Sequence, residues 1–145
     1  RLNDVVDGAD VACAVRSDTP VVAERTMLWA VPGGRAGHAT VGMTAAAREV
    51  FLPEGCTAYG FETWLLLQNP GASESSVTVH AMTSSGEKRI AAVKVAAGAR
   101  RTLRLNDYYQ GNLSIRVAAS LPVSVERAVY WNGRSGGTCS IGYSR

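Results

Sequence analysis

The feature that most constrains the fold is that the chain partly repeats itself. Arg1-Leu2-Asn3-Asp4 recurs as Arg104-Leu105-Asn106-Asp107, and Pro20-Val21-Val22-Ala23-Glu24-Arg25 with Trp29 recurs as Pro122-Val123-Ser124-Val125-Glu126-Arg127 with Trp131. Thr40-Val41-Gly42 returns as Ser140-Ile141-Gly142, the offset drifting from 103 residues to 100. Self-similarity at a fixed long period is the mark of units that recur along a chain. Residues 1–45 therefore read as the C-terminal half of one unit, and residues 46–145 as one complete unit of about 100 residues.

Two copies also fix which side chains share a face, because successive strand residues point to opposite sides of a sheet. Leu113, Ile115 and Val117 form one apolar face, matched by Val11, Cys13 and Val15. Val123, Val125, Arg127, Val129 and Trp131 form another, matched by Val21, Ala23, Arg25, Met27 and Trp29. Each repeated Arg thus lies on the apolar face, and the Glu beside it points away. Within the complete unit, strands are expected at Val50–Leu52, Phe61–Gln68, Ser76–Met82, Arg89–Val95 and Arg101–Leu105, followed by three repeated strands. Ser84-Ser85-Gly86-Glu87 makes a hairpin of the third and fourth of these. Short strands with turn signals every 8–12 residues predict an all-β fold, an antiparallel two-sheet β-sandwich of immunoglobulin-like architecture.

Composition narrows the function classes. Hydrophobic residues make up 46% and charged residues 19%, as in globular domains, and no apolar run reaches the 18 or so residues of a membrane span. No membrane insertion is expected. The net charge of +3 is mild. The densest basic cluster, Lys88, Arg89, Arg100, Arg101 and Arg104, has no aromatic residue within it. That speaks against a nucleic-acid partner and for a solvated surface, with an anionic wall polymer as the alternative.

Several motifs together resemble a bacterial repeat. They are Leu52-Pro53-Glu54-Gly55, Phe61-Glu62-Thr63-Trp64 with Gln68-Asn69-Pro70, Asn106-Asp107-Tyr108, Pro122-Val123 with Glu126-Arg127, Tyr130-Trp131-Asn132, and Gly136-Gly137 with Ser140-Ile141-Gly142. The resemblance is to a tandem repeat of roughly 100 residues in large secreted or cell-surface proteins of actinobacteria and related bacteria, a domain of unknown function. It covers residues 48–145, and its second half covers 1–45. Pro53 departs from the family pattern, where Ala is expected. The resemblance implies an extracellular location and no known chemistry.

The residues themselves point to no catalytic or metal centre, and no cofactor is expected. Gly133-Arg134-Ser135-Gly136-Gly137 matches a nucleophile elbow in letters only: a strand follows it, no His lies downstream, and Ala36 holds the Ser position in the first copy. His38 and His80 show no ligand spacing. Glu24, Arg25, Glu126 and Arg127 read as structural polar pairs, with a buried acid such as Glu62 or Asp107 expected opposite Arg127. Cys13, standing where Ile115 stands, is expected to be a buried thiol. Cys56 and Cys139 either form a disulfide closing an 83-residue loop or are two further buried thiols. Trp29, Trp64, Trp131 and Tyr130 are expected mainly in packing, whereas Tyr108 and Tyr109 precede Gly111 in a loop and are the candidates for contact with a glycan or partner.

The expected function is that of a non-catalytic extracellular structural or assembly module, a stalk, spacer or polymer subunit whose partners are neighbouring repeats or other copies of itself. The alternative is a carbohydrate- or cell-wall-binding module. Residues 1–45 supply three strands with an apolar face each, so they are expected to pack either on residues 46–145 or on another copy.

Overall fold

A computed structural model describes residues 1–144, whose regular structure is antiparallel β-structure apart from two short 3-10 turns. Ten strands follow a short 3-10 turn at Leu2–Asp4. They are β1 Glu24–Val31, β2 Gly34–Val41, β3 Ala47–Leu52, β4 Phe61–Gln68, β5 Ser75–Thr83, β6 Gly86–Val95, β7 Arg100–Arg104, β8 Ser114–Trp131, β9 Gly136–Ile141 and β10 Tyr143–Ser144. A second 3-10 turn, Leu105–Asp107, joins β7 to the loop before β8.

The strands from β3 onward make the expected two-sheet sandwich. One sheet runs β10-β3-β8-β5-β6 and uses the first half of β8; the other runs β9-β8-β4-β7 and uses the second half. Leu113–Val117 and Val123–Trp131, expected as separate strands, are thus parts of one strand of 18 residues. The crossing lies near Ser120-Leu121-Pro122, where β3 pairs Glu49 with Ala118 but Ala47 already with Val123. Extra residues on one strand bend it, which is how a strand turns the corner from one sheet to the other. Pro122 has no N–H to lose from a ladder there.

Between the sheets lies one core. Val50 and Leu52 of β3, Leu65 and Leu67 of β4, Val77 and Val79 of β5, and Ile115, Val117, Val123 and Val125 of β8 are all almost fully buried. The sequence of β4 is apolar on both faces in its middle, as in a central strand, and in the fold Thr63, Leu65 and Leu67 face in, while Glu62, Trp64 and Leu66 face out. Val123, Val125, Arg127 and Val129 face in, as the repeated copy suggested. Asn69, buried at the end of β4, donates from Nδ2 to the carbonyls of Ser73 and Val95 and so fixes the loop that enters β5.

The N-terminal segment departs from expectation. Only two strands form there, β1 and β2, joined by a tight turn at Pro32-Gly33. Residues 5–23 form no strand, and Val11, Cys13 and Val15 are exposed although Ile115 and Val117 in the other copy are fully buried. The physical reason is the absence of partners. Ile115 is paired on both sides, with Leu52 of β3 and Ala81 of β5, and no strands stand in those places beside Cys13. The expected buried thiol at Cys13 is therefore an exposed one.

Candidate functional site

The β1–β2 hairpin and the β8–β9 hairpin have the same pairing register. Glu24 pairs with Val41 and Arg25 with Thr40; Glu126 pairs with Ile141 and Arg127 with Ser140. The first hairpin is two pairs longer beyond its Trp, with Val31↔Gly34 at its tip, and this accounts for the last two residues of the drift in the sequence offset. The equivalent faces meet different surroundings. Arg127, Val129 and Trp131 face the sandwich interior, whereas Arg25, Met27 and Trp29 lie over the outer face of β8 and β9.

That contact is polar and aromatic. Arg25 Nη2 donates to Glu126 Oε1 at 2.5 Å, and Trp29 Nε1 donates to the carbonyl of Arg134 at 2.7 Å. The Trp29 ring meets Tyr130 edge-on with centroids 5.4 Å apart, and His38 Nε2 lies 3.2 Å from the Tyr130 hydroxyl. Arg134 stacks over both Trp64 and Tyr130, at 5.4 and 5.5 Å, while its Nη2 donates to Glu62 at 2.9 Å. Glycine makes room for this: a Cβ on Gly137 would stand 2.7 Å from the Tyr130 ring and 3.1 Å from Trp29.

Electrostatics record how dry the contact is. Burial pushes the Glu126 carboxyl above its ordinary range, and the Arg25 charge only partly offsets it. Burial, then the Arg25 charge, pushes His38 below its ordinary value. Burial also raises the Tyr130 phenol and, with the nearby Glu126 charge, the Cys139 thiol.

The repeated Glu-Arg pairs do not act alike. Glu24 is exposed and accepts only from Thr26, while Glu126 receives Arg25. Arg127 is 5% exposed on the core face, but its partner is not Glu62 or Asp107. Its Nη1 donates to the backbone carbonyl of Glu54, and its Nε has no partner. Glu62 points outward to Arg134, and Asp107 meets Arg104 at the other edge of the sheet. Alternation explains the first of these: Glu62 is on the face of β4 opposite to Thr63 and Leu65.

All three cysteines are free thiols. The disulfide Cys56–Cys139 does not form, because the two lie on opposite faces of one sheet. Cys139 pairs with Ala128 and shares the outer face with Glu126 and Tyr130; Cys56 is tied to Thr63, which faces the interior. Tyr108 is exposed, while Tyr109 packs against the core. The basic cluster is divided between two edge strands, Lys88 and Arg89 on β6 and the others on β7, where Arg100 meets Asp10 at 2.9 Å. Gly133–Gly137 forms the turn of the β8–β9 hairpin and the start of β9. Among the described residues, no three of His, Cys, Asp or Glu are grouped as metal ligands would be.

A groove of about 1010 Å³ opens at one end of the sandwich. Its walls include Phe61, Tyr109, Trp131 and Met82, with Glu54 and Asn112 beside them, and Tyr59 stands at its lip. Phe61 and Trp131 lie 6.3 Å apart between ring centroids. Tyr59 also borders an adjoining hollow of about 420 Å³ lined by Glu62, Arg104 and Asp107. Sequence reading did not single out Tyr59 or give His38 a role. Tyr59 sits in an irregular loop without periodicity, and the signal for His38 was available: it alternates with Thr40 and Ala36 on a strand whose own core was missing.

A model of a family of unknown function, DUF5719, matches residues 2–124. The chain belongs to this family. The DUF5719 match starts before the β1–β2 hairpin and ends inside β8. No curated protein matches the chain. Among solved structures, the crystal structure of Thermotoga maritima 1070 is similar with a TM-score of 0.61 at 21% identity, over 71% of this chain and 97% of that one. The Anabaena sensory rhodopsin transducer gives 0.47 at 18%, over 57% and 96%. The first likeness supports the sandwich fold and nothing beyond it.

Proposed function

We propose that this DUF5719 chain is a non-catalytic structural module of a secreted or cell-surface protein, built from repeated units that seat end on end. The observation that supports this reading most is the seating of the β1–β2 hairpin. Its inward face, equivalent in register to a core face, is covered by the outer face of the following unit's sheet through Arg25–Glu126 and Trp29–Tyr130. Such a contact fixes the angle between successive units, as a stalk or spacer needs. Residues 5–23 fit the same reading. They are the counterpart of the first half of β8, left open where strands of a neighbouring unit would pair with them. The extracellular placement rests on the sequence resemblance.

Charge reversal tests the junction. Arg25→Glu or Glu126→Arg alone should free the hairpin to protease, and the double exchange should restore its protection. If the hairpin is equally accessible in all four proteins, the junction does not exist and the stalk reading loses its support.

A further inference from the structure

We infer that the groove at the open end of the sandwich is a binding site for an uncharged glycan chain, with Tyr59 as the ring on which a sugar stacks. This goes beyond the structural role and does not depend on it. The site lies between the sheets, where β4 and the end of β8 face the tip of the β5–β6 hairpin, away from the β1–β2 junction.

Three observations carry the inference. The first is Tyr59 itself: it is 85% exposed, and its backbone has φ of 56°. A non-glycine residue in the left-handed region costs free energy, and such strain collects where a side chain must be held in a particular place. Here it holds an aromatic ring out at the lip of the groove. The second is the wall: Phe61 and Trp131 offer flat apolar surface facing the same space. Rings of this kind bury the C–H faces of pyranoses, while a polar rim fixes orientation.

The third observation is the chemistry of that rim. Thr83, Ser84, Ser85, Asn112, Ser114 and Thr138 supply hydroxyl and amide groups, which both donate and accept. A polyhydroxyl ligand requires that dual capacity. Glu54 is the one charged residue in the lining, and no Lys or Arg lines it, so a phosphate- or carboxylate-bearing polymer would meet no counter-charge.

The groove does not suit an extended peptide. Strand addition needs a row of unpaired backbone groups along a sheet edge, and this opening lies at the ends of strands between two sheets. Its volume is at the top of the range of about 300–1,000 Å³ for small-ligand pockets. Open at both the lip and the adjoining hollow, it suits a short stretch of a longer chain.

The test is calorimetric titration of the intact protein with cellohexaose, chitohexaose and xylohexaose, and with the polyanion polygalacturonate. At least one neutral oligosaccharide should bind saturably and change the tryptophan fluorescence. Tyr59→Ala, at an exposed ring, should leave the melting temperature in place and weaken binding about tenfold, as loss of one aromatic anchor does. Tyr108→Ala, outside the groove, should bind as the parent protein does. Failure of all three neutral probes to bind at millimolar concentration overturns the inference. So does binding of polygalacturonate alone, or binding that Tyr59→Ala leaves intact.

Discussion

Arg25 and Arg127 occupy equivalent positions in two hairpins of the same register and solve opposite problems. Arg25 meets a carboxylate, so removing it strands Glu126 in a site whose dryness already disfavours its charge. Arg25→Ala should cost about 2 kcal/mol, less than the roughly 3–5 kcal/mol of a fully buried pair because both side chains keep some exposure, read as a lower urea midpoint. Arg127 has one backbone acceptor and an unpaired Nε inside the core, and burial pushes its pKa down. There the desolvation penalty outweighs the single hydrogen bond. Arg127→Met, which keeps the length of the stem, should raise stability by about 1 kcal/mol in the same measurement. Gly137 is constrained by space alone. A methyl group there would press on Tyr130 and Trp29, and Gly137→Ala should cost about 1–3 kcal/mol by overpacking, seen as easier cleavage of the β1–β2 hairpin.

At the scale of elements, the β1–β2 hairpin should respond to pH through His38. Its pKa in the docked state lies below the ordinary 6.5, so the docked form binds fewer protons than the free one. The stability this contributes is present above pH 6.5 and is lost as pH falls from there through the lowered value. Glu126 works in the opposite direction, since a raised carboxyl pKa makes protonation favour docking. Comparing hydrogen exchange in β1 and β2 between neutral pH and about pH 5 isolates the His38 part: His38→Phe should exchange with a weaker loss of protection on acidification than the parent. The strands of the sandwich were legible in the sequence because Val79 and Ile115 alternate with polar neighbours, because Leu65 lies in a short apolar run bounded by Asn69-Pro70-Gly71, and because all three have partners within the chain. The segment around Val11, Cys13 and Val15 carries the same pattern but lacks those partners, and pattern without pairing does not make a strand. The two expected strands that join into β8 are parted in the sequence by Ser120-Leu121-Pro122, and a proline inside a strand is tolerated at such a sheet-switching bend. The candidate groove was hidden for another reason. Tyr59 and Phe61 stand together at the start of β4, but Trp131 lies 70 residues further along, and nothing in that spacing brings it to them.

For the molecule as a whole, the open segment and the docked hairpin predict graded protection. Protease should cut within residues 5–23 first and spare residues 24–41 with the sandwich, and truncation to residues 46–145 should lower the melting temperature because the outer faces of Tyr130 and Glu126 lose their cover. If cleavage removes residues 1–45 in one step and truncation leaves the melting temperature unchanged, the hairpin is not part of the stable body. The course of β8 has a mechanical consequence. Because a single strand of 18 residues belongs to both sheets, neither sheet can slide from the other without peeling β8 from β3, β4, β5 and β9 together. Under tension such a sandwich should yield in one event and not sheet by sheet. A unit of roughly a hundred residues would then pay out about 330 Å of slack at each rupture, so a stalk made of these units would act as a chain of shock absorbers, each intact until its own threshold is passed.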